Sequence, residues 1–320
     1  MDLLNIFSKE ENVISILHDK SNGNVACGYL FYSPDNVTNS YILKCLSRGL
    51  LCRQNGCGIC PDCLKAQEDV HPDILEFPKE KSLAVKDVKE IIEQANVKPM
   101  ICSQKVIIIN DISVSSEEAQ NKLLKTLEEP PKNVYFLIST TNLDKVLPTI
   151  KSRLVKREIK PFELDEVKGL FKDYKNENLD LAISLGGGFI GKTLDILSNN
   201  DFITQYELAQ NVVFNLKTSG DVIKFVPQKI DKNQFNLLLE NLSYIFRDIL
   251  IIKQKQEKLV KNSQILNKLS KIEGDFSSKA LIEIIKIIDN ANLKQNSNVS
   301  LSLILETLFT KILEVKFLCK

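Results

Sequence analysis

The chain has 320 residues, 43% of them apolar, enough to bury cores for two or three domains. Its 42 basic and 41 acidic side chains nearly cancel, which excludes a protein gathered onto DNA or a membrane by its overall field; any nucleic-acid contact has to be local or shared with partners. No apolar run reaches the length of about 18 residues needed to span a bilayer, and the first ten residues carry an acid and lack a signal-peptide layout, so the expected address is the cytoplasm, with no membrane partner.

Up to residue 160, short β-branched or aromatic runs alternate with helical stretches, the pattern of a parallel sheet wrapped by helices. Strands are expected at 28–32, 73–77, 106–110, 134–139 and 155–159, with crossover helices between them. A helix beginning near Ser116 must stop at Pro130-Pro131, because proline removes a backbone donor and clashes with the preceding turn. Past Pro161 the strand signals end, and 164 to about 200 reads as short helices around a glycine bend at Gly186, Gly187 and Gly188. From Phe202 onward the pattern is helical, with Leu281, Ile284, Ile285 and Ile288, then Leu301, Ile304, Leu305, Leu308 and Ile312, on single faces as core stripes. The expected organisation is an α/β domain over 1–160, a small helical domain over 161–201 and an all-α domain over 202–320.

Four of the eight cysteines fall within twelve residues, and Cys27, Cys45, Cys102 and Cys319 are scattered, a distribution that argues for metal rather than disulfides. Cys52, Cys57, Cys60 and Cys63 have the spacing C-x4-C-x2-C-x2-C, which can close four thiolates around Zn2+. Gly56, Gly58 and Pro61 shape the turns. With no position left for water, the expected site is structural. His71 is expected to serve in a turn or in packing rather than as a ligand.

Residues 186–193 satisfy G-x-x-x-x-G-K-[ST] letter for letter, ending in Lys192-Thr193. A phosphate loop needs a buried strand before it and a helix after it, whereas the preceding segment here reads as helix. The natural place for such a loop is after the first strand. There Ser33, Pro34, Asp35, Asn36, Val37, Thr38, Asn39 and Ser40 offer neither glycine nor lysine, so the backbone cannot cradle phosphates and no ammonium meets them. The third strand then ends in Asn110-Asp111, where an ATPase wants Asp followed by Glu for magnesium and water. ATP is therefore expected not to bind.

Residues 105–111 and 117–131, above all Leu123-Leu124-Lys125-Thr126-Leu127-Glu128-Glu129-Pro130-Pro131, together with the cysteine module followed by His71-Pro72-Asp73, resemble the clamp-loader AAA+ subunits of bacterial DNA polymerase III. The degenerate first loop is similar to the delta-prime type. The resemblance implies a zinc-bearing AAA+ α/β base, a helical lid and a helical collar joined in a five-membered ring with gamma/tau and delta subunits. It implies a non-hydrolysing subunit that supports ATP-driven loading of the sliding clamp on primer-template DNA. Ser139-Thr140-Thr141 resembles sensor 1, Lys192 stands at the sensor 2 turn, and the segment opening at Asn296 resembles the last collar helix. Ser152-Arg153-Leu154 is similar to the Ser-Arg-Cys motif, which implies that Arg153 reaches a neighbouring subunit's ATP as an arginine finger in trans. Leu154 departs from that motif and changes the packing around it. Two alternatives remain: an ATP-hydrolysing gamma/tau-type subunit, and a zinc-dependent nucleic-acid-binding module, for which only Arg48, Arg53 and Lys65 supply nearby positive charge against Asp62, Glu68 and Asp69.

Overall fold

The structure, a computed structural model, describes residues 7–8, 10–79, 82–172, 174–295 and 299–318. Cys319, most of the first ten residues and residues 296–298, which open the segment 296–306, lie outside the described residues. The chain forms two compact units, Met1–Phe162 and Glu163–Lys320.

The first unit runs α1 (Glu11–Ser21), β1 (Gly28–Tyr32), α2 (Asn36–Leu51), α3 (Pro61–Gln67), β2 (Ile74–Phe77), α4 (Val85–Asn96), β3 (Lys105–Ile109), α5 (Glu117–Glu128), β4 (Val134–Thr140), α6 (Pro148–Lys151) and β5 (Val155–Glu158). All five strands pair in parallel, in the order β2-β3-β4-β1-β5. Every residue of β3 is buried, and β4 is buried except at Tyr135, as expected of strands covered on both faces. The edge strand β5 carries Lys156, Arg157 and Glu158, charges that blunt an otherwise sticky edge. Asp73, placed in a strand by its apolar neighbours, lies one residue outside β2, its carboxylate spent on a loop instead. The Ser116 hydroxyl caps α5 by accepting from the Ala119 amide, and Glu117 and Glu118 favour the positive end of the helix dipole.

The second unit is helical throughout its described residues. It comprises α7 (Leu164–Leu170), α8 (Leu179–Gly186), α9 (Ile190–Ser198), α10 (Asn200–Asn215), α11 (Ser219–Phe225), α12 (Lys232–Lys253), α13 (Leu266–Ile272), α14 (Ser278–Lys294) and α15 (Leu301–Leu318), with short 3-10 turns between. One hydrophobic cluster runs from Leu181 through Phe246 to Leu313, so helices on either side of position 201 share a core. The stripes contribute Leu281, Ile284 and Ile288 from α14 and Ile304, Leu305, Leu308 and Ile312 from α15, all buried. The 186–193 motif is a bend between two helices: α8 ends at Gly186, Gly187 and Gly188 take positive φ, and α9 begins at Ile190. A helix, not a strand, leads into it, which removes the geometry a phosphate loop requires. Gly186 packs against Thr193, where a Cβ would meet the hydroxyl at 2.3 Å. Among the described residues, no helix is long and apolar enough to cross a membrane.

Candidate functional site

Ligands of open parallel sheets bind in the crevice outside the carboxyl ends of the strands. Here the turn from β1 to α2 occupies that place. Asp35 caps α2, its carboxylate accepting from the Val37 amide at 3.1 Å and from the Thr38 hydroxyl. A helix N-terminus attracts a negative group, and the chain supplies one from its own side chain. The Ser33 hydroxyl donates to Asn39 Oδ1 at 2.7 Å, and Asn39 Nδ2 donates to the backbone carbonyls of Ser33 and Thr140 at 3.3 Å each. Ser33, Asp35, Thr38 and Asn39 are all buried. Ser40, on the other side of the first helical turn, is only half-buried.

The end of β3 is tied just as closely. Asp111 adopts the left-handed conformation, φ 41°, a strained choice for a residue with a Cβ. Its amide donates to Ser139 Oγ at 2.9 Å. Its carboxylate accepts from the Thr141 amide at 3.1 Å, the Thr141 hydroxyl at 2.8 Å and the Ser113 hydroxyl. Asn110 Nδ2 donates to Glu76 at 2.7 Å, and Lys44 pairs with both Glu76 and Asp69, at 3.2 and 3.0 Å. The residues expected at the altered nucleotide positions thus come together at one sheet edge, bonded to each other through β4.

Arg153 lies between α6 and β5. Its Nη1 donates to the Thr149 carbonyl at 2.8 Å and its Nη2 to Glu128 at 3.0 Å. The pair is partly open, at 28% exposure for the arginine and 60% for the glutamate, and Ser152 is turned to the same Thr149 carbonyl. Leu154 is buried, and a Cβ on Gly28 would stand 2.5 Å from its Cδ2. The larger side chain at position 154 is accommodated by the missing side chain on β1.

The four module cysteines converge, all four sulfurs lying within 4.8 Å of one another. Cys52 Sγ is 3.8 Å from both Cys57 Sγ and Cys60 Sγ. A tetrahedral zinc with bonds of 2.3 Å places its sulfurs about 3.8 Å apart, so this donor set fits the ion. Burial would raise the Cys52 thiol, but the amides of Cys57, Gln54 and Gly56 outweigh it and bring the group down to about 6. The amides of Ile59 and Cys60 lower Cys57, while burial raises Cys63. Asn55, Gly56 and Gly58 turn the loop with positive φ.

Two flanks hold this loop. On one side, α1 lies so close to α2 that a Cβ on Gly49 would meet both Leu17 methyls at 2.7 Å. From α1, Lys20 Nζ donates to the carbonyls of Gly49, at 2.9 Å, and Cys52, and Asn55 Nδ2 donates to Ser21 at 2.9 Å. Burial lowers the Lys20 ammonium's pKa, while the neighbouring Cys52 works against that shift. On the other side, buried His71 faces Asp62 at 3.6 Å and Cys102 at 3.7 Å through Nε2. Its Nδ1 accepts from the Asp73 amide at 3.1 Å, so in the neutral ring Nε2 carries the proton and donates rather than binding metal. Asp73 in turn accepts from the amides of Met100, Ile101 and Cys102. Burial pushes the Cys102 thiol up to about 11, as for an inert packed cysteine. Lys20 escapes a reading of the sequence because it stands 32 residues before its Cys52 partner and no local pattern marks it.

Residues 9–163 match a family model described as "DNA polymerase III, delta subunit". Among curated relatives, the DNA polymerase III subunit tau of Escherichia coli is 27% identical over 54% of this chain and 27% of its own length. The subunit delta' of the same organism is 30% identical over 56% of this chain and 57% of its own. The subunit gamma of Buchnera aphidicola subsp. Acyrthosiphon pisum is 24% identical over 96% of this chain and 81% of its own. The alignments with the first two tau relatives span about a quarter of those proteins.

Proposed function

We propose, from the match of residues 9–163 to the delta-subunit model of DNA polymerase III, that the chain is a clamp-loader ring subunit of delta-prime type that neither binds nor hydrolyses ATP and acts on a neighbour. The observation that carries this reading is the filled corner between β1 and α2. Asp35 takes the anion's place at the helix N-terminus, Asn39 bonds β1 to β4, and Asp111 spends its carboxylate on Thr141 and Ser113. A phosphate would have to displace a buried carboxylate and lose several hydrogen bonds, each worth about 1 kcal/mol net. In the proposed organisation, 1–160 is an AAA+ base, 161–201 a lid and 202–320 a collar. The ring partners are gamma/tau and delta subunits, and the ring opens a sliding clamp and sets it on primer-template DNA. Cys52, Cys57, Cys60 and Cys63 hold one Zn2+ as a closed structural site, which braces the loop and supplies no reactive water.

Arg153 supplies the chemistry. A guanidinium near a neighbour's γ-phosphate stabilises charge developing in the transition state. Its Glu128 partner is exposed, so releasing the arginine costs about 1 kcal/mol or less. In the reconstituted ring, Arg153→Ala is expected to leave assembly intact and to slow ATP hydrolysis at least ~10-fold, toward the 10³ of supplied arginine fingers. An unchanged rate overturns the assignment.

The similarity to tau and gamma subunits keeps an ATP-hydrolysing reading in view. Equilibrium binding of a fluorescent ATP analogue with magnesium to the isolated chain separates the two. No binding is expected; binding with turnover would establish the hydrolysing type.

A further inference from the structure

Four thiolates around a divalent cation carry a net charge of −2. Cys52 and Cys63, two of the four, are almost fully buried, where an uncompensated charge is costly. Asp62 adds a further negative group between Cys60 and Cys63, and its carboxylate faces His71 rather than a cation. The C-terminus of α2 brings the negative end of a helix dipole to the same place. Two cations stand there. Lys20 reaches across from α1 and fastens its ammonium to the Gly49 and Cys52 carbonyls, at the end of α2 and on a cysteine of the module. Arg48 is buried to 2% exposure in the last turn of α2, and a Cβ on Gly56, inside the cysteine loop, would stand 3.9 Å from its Nε.

We propose that Lys20, with Arg48 beside it, is the counter-charge of the cysteine site: a pair of outer cations that sets how firmly the metal is held. The inference rests on the zinc reading above and goes beyond it in assigning the groups that make a dianionic site tolerable where two of its cysteines are buried. Groups outside a metal's ligands commonly alter affinity by about 10–100-fold. Lys20 is the better probe, because removing the buried guanidinium of Arg48 endangers the fold, whereas Lys20 is partly exposed and belongs to the surface of α1.

The alternative role for Lys20 is mechanical, closing the end of α2 through two carbonyl bonds. Lys20→Met removes charge and bonds together, and Lys20→Arg restores both. The test is cobalt titration of the full-length chain, followed by the thiolate-to-cobalt absorption band, with zinc competition for affinity and denaturant unfolding of the metal-free protein alongside. The expected result is one equivalent of metal in the wild type, about 10–100-fold weaker binding in Lys20→Met, and recovery to within a few-fold in Lys20→Arg. Equal affinity in wild type and Lys20→Met overturns the proposal, including when the metal-free variant is less stable, since that is the signature of helix closure alone. A wild type that binds no stoichiometric cobalt or zinc overturns the underlying zinc reading instead, an outcome distinct from the first.

Discussion

The nucleotide corner and the cysteine loop are both places in the first unit where polar groups converge, and they converge in opposite ways. At the corner three strong groups are answered from within the chain: Asp35 by Val37 and Thr38, Asn39 by Ser33 and Thr140, Asp111 by Thr141 and Ser113. In the loop four sulfurs face one another with no donor set among them that could satisfy four thiolates, and lysine and arginine stand outside. On the proposed reading, the corner closes on itself without a ligand, whereas the loop gathers like charges that an added cation would reconcile. The same backbone devices, amides aimed at an anion, serve both.

The largest effect that could break this contrast is removal of metal. Cys63→Ser, or chelation of the wild type, is expected to abolish stoichiometric zinc and to destabilise the first unit by several kcal/mol, a fraction of the ~10–16 kcal/mol that structural zinc supplies to isolated fingers. Zinc analysis combined with thermal unfolding measures it; a chelated protein with an unchanged melting temperature would make the cysteine loop no more dependent on metal than the corner is.

Next comes the corner. Asp111→Ala leaves the Thr141 amide and two hydroxyls without their acceptor in a buried position, and is expected to cost about 2–4 kcal/mol in urea unfolding. If instead the variant were as stable as wild type and acquired magnesium-dependent nucleotide binding, Asp111 would be a retained metal ligand and the closed-corner description would fail. Asp35→Ala removes an N-cap and is expected to cost about 1–2 kcal/mol while leaving nucleotide binding absent, because neither glycines nor a lysine replace it.

Much of this was legible in the sequence. Strand runs at β1, β3 and β4 stand out because buried parallel strands are written as unbroken apolar stretches, and the helical stripes of α14 and α15 are periodic. The missing glycine and lysine after β1 were visible as absences, and the bend at 186–193 could be set aside from the helical character of what precedes it. What could not be read was long-range. Lys20 meets Cys52, His71 meets Asp62 and Cys102, and Gly28 makes room for Leu154 only once the sheet has formed. The same holds in the second unit, where buried Asp248 accepts from the Lys261 and Asn262 amides, at 3.1 and 2.7 Å, and fixes the connection after α12. Such pairings depend on topology, and the residues that make them carry no local periodicity.

The smallest expected effect concerns the anchor between the cysteine loop and the sheet. Asp73 is buried, which by itself would raise its pKa, but the amides of Cys102, Met100 and Ile101 and the nearby His71 overcome this and hold the carboxyl below its ordinary value. A folded-state value below the unfolded one, about 3.9, means that the stabilisation is fully present above that pH and is lost as pH falls through the folded value. Asp73→Asn keeps the shape and an acceptor oxygen but gives up the charge, and charged acceptors bond about twice as strongly as neutral ones. The variant is expected to lose about 1 kcal/mol at pH 7, with the gap to wild type closing as the pH is lowered below about 4. Urea unfolding at a series of pH values reads both curves. A gap that stays constant from pH 7 down to pH 2 would mean that shape, not charge, holds the 100–102 loop, and that the carboxylate here works as a neutral amide could.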